Sequence, residues 1–387
     1  MKNVVISFTS YPARINMVNR VIESLFRQRE QVDEIILWLS IEEFPEKYNN
    51  LPENLTNLIG KNGFHIEWVK ENLKSHKKYF YALQNSKDIN ITVDDDMYYS
   101  DTLVSTLMNS YRKYPYAISA RGVRIIMKEG EQIIPYIAWE SEVSEYIGIE
   151  KMDLCAIGVN GILYPPGCAK ERWFDIPSII KLAENQDDLW LKWNQIIDNI
   201  PVVYTGIIES DKVLENSQKT SLYFQNMYGG FNDISIHKLL ENLKKNYKSV
   251  YKEWDSKLMQ LNEFISEKRK YYRKQLEQII LQWEQLDIYI CGAGNYAHIL
   301  YKFLKTCGMD SKIKAFLITK KNPDSVNLNI KYIKDLEKQR AFGVICGVGS
   351  RYREEFRREL QQFELHKWVD INISGLERLL QLEEMKL

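Results

Sequence analysis

Alternation of strands and helices over the first 93 residues most constrains the fold of this chain. β-Branched or alternating segments predict four strands, over residues 3–9, 33–40, 64–71 and 89–93. Helical spacing predicts helices over 18–28 and 77–86. This β-α-β-α-β order implies a parallel sheet covered by helices. Ligands of such sheets bind beyond the carboxyl ends of the strands, so we expect a site there.

The remaining residues fall into segments with different sequence patterns. Its 387 residues suggest roughly two to three domains of ~150 residues. Residues 115–210 are less regular, and the Gly and Pro density over 158–167 favours a loop-rich insert. Residues 237–284 lack Gly and Pro and predict helix, with ten basic and five acidic residues over 241–275. A solvated spacer between domains is the favoured interpretation, and a basic face resting on anionic lipid is the alternative.

The last hundred residues predict a second, Rossmann-type unit. Strands are expected over 287–291, 312–319, 341–350 and 367–373. The turn GAGNYA (292–297) resembles the dinucleotide-binding turn G-x-G-x-x-A. The acidic residue expected after the next strand is missing, because Thr319, Lys320 and Lys321 stand there. This argues against NAD(P) and favours a vestigial or regulatory nucleotide-binding module.

Composition excludes several classes of protein. The 52 basic and 52 acidic residues balance, so no global field attracts nucleic acid. The five cysteines form no CxxC pair, which favours free thiols in a reducing compartment. No stretch approaches the ~18 apolar residues of a membrane span. We therefore expect a cytoplasmic protein, with peripheral contact at the inner face of a membrane as an open alternative.

Three consecutive carboxylates follow the fourth predicted strand, in ITVDDDMYYS (91–100). On an extended chain, Asp94 and Asp96 would point to one side and Asp95 to the other. Two carboxylates at a sheet edge repel each other unless a cation joins them, and Mg²⁺ or Mn²⁺ prefers such oxygens. Mg²⁺ commonly uses one or two protein carboxylates and completes its shell with phosphate and water, which suits a nucleotide diphosphate. The alternative is an acidic surface turn.

Hydroxyl, aromatic and cationic side chains accompany the triplet at neighbouring strand ends. FTSYPAR (8–14) follows the first strand, and NLKSHKKYFYAL (72–83) opens the helix before the triplet. Hydroxyls, guanidinium groups and helix N-termini suit phosphate, and a Tyr ring offers a stacking face. A turn with a surface Arg and a helix start with surface lysines are the alternatives. The candidate ligand-contacting residues are Thr9, Ser10, Tyr11, Arg14, Lys77 and Lys78.

Together, the blocks VVISFTSYPARI, DEIILWLS, NLKSHKKYFYAL, ITVDDDMYYS and GVNGILYPPG resemble a family of bacterial glycosyltransferases with the GT-A fold. The triplet looks like the DxD motif of that fold. The resemblance implies a nucleotide-sugar donor, with UDP as the family-level expectation, a bound Mn²⁺ or Mg²⁺ and transfer to a hydroxyl acceptor. Asp96 would be the principal metal ligand and Asp94 a second ligand or a ribose contact. Asp95 would face Lys77, Lys78 or the sugar.

The resemblance also implies a base and a third metal ligand. ENQDDLWLKW places Asp187 and Asp188 at a helix start, where inverting members keep a general base. Asp188 is the first choice and Asp187 the alternate; an acidic pair favoured by the helix dipole is the other interpretation. A late segment, GGFNDISIHKLL, supplies His237 as a metal ligand, although a lone His near a helix start is more often structural.

These inferences combine into an α/β architecture of three parts. We expect a GT-A domain with a Rossmann-like, mixed sheet over 1–240, a helical linker over 241–284 and a smaller Rossmann-like domain over 285–387. The leading hypothesis is an inverting, metal-dependent transferase of capsule or lipooligosaccharide assembly, acting on a glycan or lipid-linked acceptor. An NAD(P)-linked sugar oxidoreductase acting through the C-terminal domain and a non-catalytic nucleotide-binding scaffold are the alternatives.

Overall fold

The computed structural model describes residues 2–84, 87–141, 143–206, 211–214, 229–319, 329–337, 340–363 and 366–384. These residues pack as two compact units, Met1–Met259 and Gln260–Leu387. Lys320 and Lys321, singled out in the sequence, lie outside the described residues.

The first unit alternates strands and helices as predicted, and then adds many short strands. Its strands are β1 Val4–Thr9, β2 Glu34–Ser40, β3 Phe64–Val69, β4 Ile89–Thr92, β5 Met97–Tyr98, β6 Ile118–Ala120, β7 Val123–Ile125, β8 Met127–Glu129, β9 Gln132–Ile133, β10 Glu150–Lys151, β11 Leu154–Ala156, β12 Ile162–Tyr164, β13 Val202–Tyr204 and β14 Lys212–Val213. Its helices are α1 Val18–Leu25, α2 Glu53–Thr56, α3 Lys77–Leu83, α4 Leu103–Lys113, α5 Ile176–Ala183, α6 Asp187–Ile197, α7 Phe231–Asn246 and α8 Lys248–Ser256.

One eight-stranded sheet organises this unit, in the order β10-β13-β6-β12-β4-β1-β2-β3. The half built from β3, β2, β1 and β4 is parallel, as the β-α-β-α-β pattern predicts. β12 runs antiparallel to both β4 and β6, so the loop-rich insert supplies strands to the same sheet. The sheet is therefore mixed with a Rossmann-like parallel half, and the predicted fold class is confirmed.

The core of the first unit follows from the apolar faces of these elements. In α1, Val18, Val21, Ile22 and Leu25 are buried, which matches their helical spacing. They join alternate residues of the central parallel strands in one cluster. β1 and β4, in the middle of the sheet, are buried on both faces, whereas β3 at the edge alternates between buried and more exposed residues.

The second unit is an all-parallel sheet with helices. Its strands are β16 Asp287–Cys291, β17 Ile313–Ile318, β18 Ile330–Tyr332, β19 Phe342–Cys346 and β20 His366–Asp370, and its helices are α9 Leu261–Gln282, α10 Asn295–Thr306, α11 Ser350–Leu360 and α12 Ile373–Glu384. The order β18-β17-β16-β19-β20 is that of a doubly wound Rossmann-like sheet. The two-residue strand Met259–Gln260, β15, precedes α9. A short strand, β18, was not predicted.

The glycines of GAGNYA have a structural reason of their own. Gly292 has a φ of 88°, which favours glycine, and a Cβ there would collide with the Val348 side chain. Gly294 has open space around its Cα instead. The first glycine is thus required by the turn itself, before any ligand is considered.

The Gly- and Pro-free segment is helical, as predicted, and is shared between the two units. α7 and α8 belong to the first unit, and α9 belongs to the second. The three-part division with a separate linker stays a prediction. Within the described ranges, none of the helices combines the length and apolar character needed to cross a lipid bilayer.

Candidate active site

The candidate site lies where the strand order of the main sheet reverses. β2 and β3 extend the sheet on one side of β1, and the chain then returns to place β4 on the other side. Ser7 of β1 is in register with Thr92 of β4, so the residues after each strand emerge side by side. The carboxyl edge at such a switch point is where α/β sheets bind ligands. The predicted position of the site therefore agrees with the topology of the sheet.

The Asp triplet occupies a turn, not a strand, and this changes where its side chains point. β4 ends at Thr92, two residues before Asp94. Asp95 accepts hydrogen bonds from Ser10 Oγ at 2.6 Å and Arg14 Nη1 at 2.7 Å. Asp96 Oδ2 lies 3.1 Å from the same Arg14 nitrogen. The alternation expected of an extended chain does not apply, because Asp95 and Asp96 both turn towards Arg14.

Asp94 faces the other way and meets a lysine. Lys78 Nζ donates to Asp94 Oδ1 at 2.7 Å and lies 2.8 Å from Asp187 Oδ2. Lys78 is buried in α3, and Asp187 is buried at the start of α6. A single ammonium therefore joins the triplet after β4 to the acidic pair 93 positions later in the chain. The sequence predicted both acidic groups and named Lys78 as a ligand-contacting residue, but it did not predict that Lys78 links the two groups.

Charge coupling sets the protonation states around Lys78. Burial acts to raise the pKa of Asp187, but neighbouring groups led by the Lys78 ammonium together outweigh burial and hold that pKa below its ordinary value. Burial opposes the charge of Lys78, yet Asp187, Asp94 and Asp188 together raise its pKa well above the ordinary value. Lys78 is therefore a fixed cation at neutral pH, and Asp187 is its ionised partner.

Asp188 lies in a different environment, although it is the next residue. Its two carboxylate oxygens accept from the Gly158 N–H at 3.2 and 3.1 Å. Burial and the neighbouring Asp187 charge raise the pKa of Asp188 to about 7. A carboxylate whose pKa lies near neutrality can accept or release a proton under physiological conditions. The two residues of the predicted pair therefore differ: Asp187 is ionised, whereas Asp188 can exchange a proton near neutral pH.

Gly158 is a site residue that the sequence did not reveal. A Cβ on Gly158 would lie 2.5 Å from Lys78 Nζ and 3.2 Å from Asp188 Oδ1. Asp94 Oδ1 would be 3.4 Å away. Only glycine lets this backbone come so close to all three groups. In the structure Gly158 begins a short 3₁₀ turn, Gly158–Asn160. The signal for this residue in the sequence was its place in the Gly-rich segment GVNGILYPPG.

Two buried side chains fix the elements that carry the charged groups. The Tyr99 hydroxyl donates to Val159 O and accepts from the Asp94 N–H, each at 2.9 Å, which ties the triplet to the Gly158 loop. His76 lies 2.8 Å from Ala183 O through Nε2 and 3.0 Å from the Tyr79 hydroxyl through Nδ1. Because a carbonyl only accepts, Nε2 carries the hydrogen, and burial lowers the pKa of this neutral imidazole.

Residues 211–214 contact the segment that contains the triplet and the residues next to it. β14 pairs with β5 antiparallel, and Leu214 N donates to Asp96 O at 2.8 Å. Asp211 lies 2.9 Å from the buried Arg121 guanidinium and accepts from Ser100 N at 2.8 Å. These contacts join residues 90 to 118 positions apart, so the local sequence gives no sign of them.

Several predicted ligand-contacting residues have partners within the protein. Thr9 Oγ1 donates to Trp38 O at 2.8 Å, and Lys77 Nζ donates to Glu43 at 2.5 Å. The Tyr11 ring faces the Arg14 guanidinium, 5.7 Å from ring centroid to Cζ. Arg14 itself is engaged by Asp95 and Asp96. Lys77 and Arg14 therefore act first as structural cations, and the roles of these residues towards a ligand stay predictions.

The balance of charge at the site leaves room for a cation. Within the part of the chain that the structure describes, the triplet and the acidic pair hold five carboxylates, and their ion pairs are with two cationic side chains, Lys78 and Arg14. Asp96 Oδ1 is buried and has no hydrogen-bond partner among the described residues. Burial, and then the Asp94 charge, raise the pKa of Asp96 to about 6. A buried oxygen without a partner costs ~1–3 kcal/mol, and a metal ion would supply the missing partner.

Asp96 and Asp94 suit a divalent cation that uses few protein ligands. The Asp94 side chain is 30% exposed, so it is accessible beside the buried Asp96 oxygen. One or two carboxylates are the usual protein share of a Mg²⁺ site. Within the ranges that the structure describes, no three His, Cys, Asp or Glu side chains form a metal-binding group. His237 is exposed on α7, and its predicted role as a third ligand has no support from this geometry.

Comparisons with known proteins give distant structural likenesses only. No protein-family model and no curated protein matches this chain. Among solved structures, residues 1–349 of S. aureus TarS in complex with UDP are 14% identical, with 64% of this chain and 72% of that chain covered and a TM-score of 0.33. The inositol-1-phosphate CTP transferase of T. maritima is 11% identical, with 60% and 96% covered and a TM-score of 0.32.

A third solved structure is glucosyl-3-phosphoglycerate synthase from Mycobacterium tuberculosis, in complex with Mn²⁺, uridine-diphosphate and phosphoglyceric acid. It is 10% identical, with 62% of this chain and 78% of that chain covered and a TM-score of 0.32. These values are too low for any of the three proteins to assign a substrate or a reaction to this chain.

Proposed function

We propose that the first unit is a metal-dependent glycosyltransferase that moves a sugar from a nucleotide sugar to a hydroxyl acceptor. One observation carries the proposal. Lys78 joins Asp94 to Asp187, so a cation-suited carboxylate set and a proton-exchanging carboxylate occupy one site at the switch point of the sheet. A UDP-sugar is the proposed donor, because the five sequence blocks resemble enzymes that use such donors.

Asp188 is the proposed general base. Its pKa of about 7 suits proton transfer at neutral pH. Asp188 accepts the proton of the acceptor hydroxyl as that oxygen attacks the anomeric carbon. The bond from the anomeric carbon to the diphosphate breaks, and the nucleoside diphosphate leaves with the electron pair. Attack from the face opposite the leaving group makes the reaction inverting.

Lys78 and Gly158 position this base. The Lys78 ammonium keeps Asp187 ionised, and the Asp187 charge in turn raises the pKa of Asp188. The Gly158 N–H holds both Asp188 oxygens and so fixes the direction of the carboxylate. Neither residue needs to contact the sugar for these effects.

Asp96, through its unpartnered Oδ1, and Asp94 would hold the divalent cation. When bound, Mn²⁺ or Mg²⁺ would neutralise negative charge on the departing diphosphate. Arg14 keeps Asp95 and the second Asp96 oxygen occupied, so Asp96 Oδ1 would be the oxygen available to hold the cation.

The test uses purified full-length protein with a panel of nucleotide sugars, with and without Mn²⁺. We expect Mn²⁺-dependent release of a nucleoside diphosphate that Asp96→Asn and Asp188→Asn abolish. Asp101→Asn is the matched control, because the Asp101 side chain is 44% exposed and pairs with the exposed Arg29 at 2.9 Å. Unchanged turnover in Asp96→Asn, with folding intact, would refute the proposed site.

The biological setting follows from the sequence resemblance alone. We propose that the acceptor is a glycan or a lipid-linked glycan of a bacterial surface polysaccharide. The basic residues over 241–275 support peripheral contact with an anionic membrane on the side where such acceptors are made. Turnover with lipid-linked and free acceptors of the same sugar would separate these possibilities.

A further inference from the structure

A cavity of about 580 Å³ lies in the first unit, apart from the carboxylates described above. It is open to solvent on one side and is lined by the 3₁₀ turn Glu171–Phe174 and by α5, α6 and the C-terminal half of α7. Its volume falls within the range of ~300–1,000 Å³ that small-molecule sites occupy. Neither the triplet nor the acidic pair lines it.

The cavity is lined by the second face of the helix that carries the acidic pair. Trp190, Trp193, Asn194 and Ile197 lie three or four residues apart on α6 and line the cavity together. Asp188 begins the same helix and faces Gly158 instead. At 1.5 Å per residue, the cavity end of α6 lies about 14 Å along the helix from Asp188. The cavity and the proposed transfer site thus share α6 but are lined by different residues of it.

Part of the wall is held rigid by a polar network. Arg172 Nε donates to Asn194 Oδ1 at 3.0 Å, and Arg172 Nη2 lies 2.8 Å from Asp198 Oδ1. The same guanidinium lies over the Tyr247 ring, 5.6 Å from its centroid. Asn194 Nδ2 donates to Trp190 O at 2.9 Å. The groups on this wall are therefore fixed before any ligand arrives.

Two amides on the opposite wall are not used by the protein. Asn242 and Asn246 line the cavity one turn apart on α7, together with Leu239. Neither side chain makes a hydrogen bond within the part of the chain that the structure describes. Asn is a weak helix former, so two in successive turns lower the stability of α7 slightly. Their donors and acceptors remain free for a ligand.

The charge of the lining selects the class of ligand. Arg172 is neutralised by Asp198, no lysine lines the cavity, and Glu171 and Asp175 add carboxylates. A phosphate or an acidic sugar would be repelled by this lining. The half-buried rings of Phe174 and Tyr247, beside amides and carboxylates, suit a neutral polyol, whose C–H face packs on rings and whose hydroxyls pair with amides.

We propose that this cavity binds a neutral saccharide. If the proposed function holds, the bound saccharide is part of the acceptor or product glycan, which the cavity would retain between transfers. The binding itself does not depend on that function.

The test measures saccharide binding to the full chain by saturation-transfer NMR and tryptophan fluorescence. The probes are glucose, N-acetylglucosamine and maltose, each with and without saturating UDP and Mn²⁺. We expect saturable binding that UDP does not displace and that Asn242→Ala/Asn246→Ala weakens about tenfold, as two lost hydrogen bonds predict. Lys245→Ala, exposed on the same helix, is the matched control and should bind as the wild type does.

Release of nucleoside diphosphate from a nucleotide sugar is measured on the same samples. We expect the Asn variants to keep this activity. No saturable saccharide binding, or equal binding by the Asn double variant, would overturn the cavity proposal. If the double variant does not fold, Asn246→Ala alone decides, because Asn246 is exposed. Saccharide binding without any donor turnover would refute the proposed function and leave the cavity proposal standing.

Discussion

Replacing Lys78 with methionine tests whether one ammonium organises the candidate site. Met is unbranched like Lys, one atom shorter and uncharged, so the change leaves the buried Asp187 carboxylate without its contact at 2.8 Å. Asp94, whose contact is 2.7 Å, is 30% exposed and should lose less. Breaking a buried ion pair by removing one partner costs ~3–5 kcal/mol. We expect Lys78→Met to lower the free energy of unfolding of the first unit by that amount at pH 7.

The pH dependence of this loss has a definite sign. In the folded wild type the pKa of Asp187 is lower than in the unfolded chain, where it is about 3.9. Asp187 therefore stabilises the fold at pH values above about 3.9, and this stabilisation is lost as the pH falls through the pKa of the folded state. Without Lys78, burial dominates and raises the pKa of Asp187, so the variant loses stability as pH rises. The difference between the two proteins should be widest near pH 7 and should narrow towards pH 4.

Urea unfolding followed by tryptophan fluorescence between pH 4 and 8 measures this difference. Seven of the nine tryptophans lie in residues 1–259, so the signal reports mainly on the first unit. Lys74→Met is the matched control, since Lys74 pairs with Glu184 at 2.7 Å while both side chains are largely exposed. An exposed pair is worth ~0–1 kcal/mol. Equal losses in the two variants, or a difference that does not change with pH, would refute the reasoning.

Three further changes test the base, the glycine and the tyrosine. Donor turnover should rise through pH 7 as Asp188 loses its proton, and Asp188→Asn should lower turnover by ~10²–10⁴ and remove this dependence; a pH–rate profile checks both. Gly158→Ala should destabilise the first unit by ~1–3 kcal/mol and reduce turnover. Gly294→Ala is the control, because a Cβ at Gly294 would meet open space, and it should change neither stability nor turnover. Parallel melting and activity assays measure both. Tyr99→Phe should cost ~1–3 kcal/mol in urea unfolding, because the Asp94 N–H and Val159 O lose their partner; a cost near zero would contradict this.

The sequence predicted much of the fold because the central elements are governed by local patterns. The four parallel strands of the first unit and α1 follow directly from apolar periodicity. The insert was harder to predict, because β6, β12 and β13 have only three residues each and are defined by their neighbours in the sheet. Periodicity cannot identify strands that short.

For the site, the sequence by itself determined which carboxylates gather at the edge of the sheet. Asp94 and Asp96 follow a strand, and Asp187 and Asp188 lie at the start of a helix. The local sequence pattern predicted both positions. Only the tertiary structure decided which groups these carboxylates contact. It placed Asp95 and Asp96 on Arg14, set Lys78 between Asp94 and Asp187, and brought the Gly158 N–H to Asp188. The physical reason is that charges couple over a few ångströms of space in a buried environment, whatever their separation along the chain.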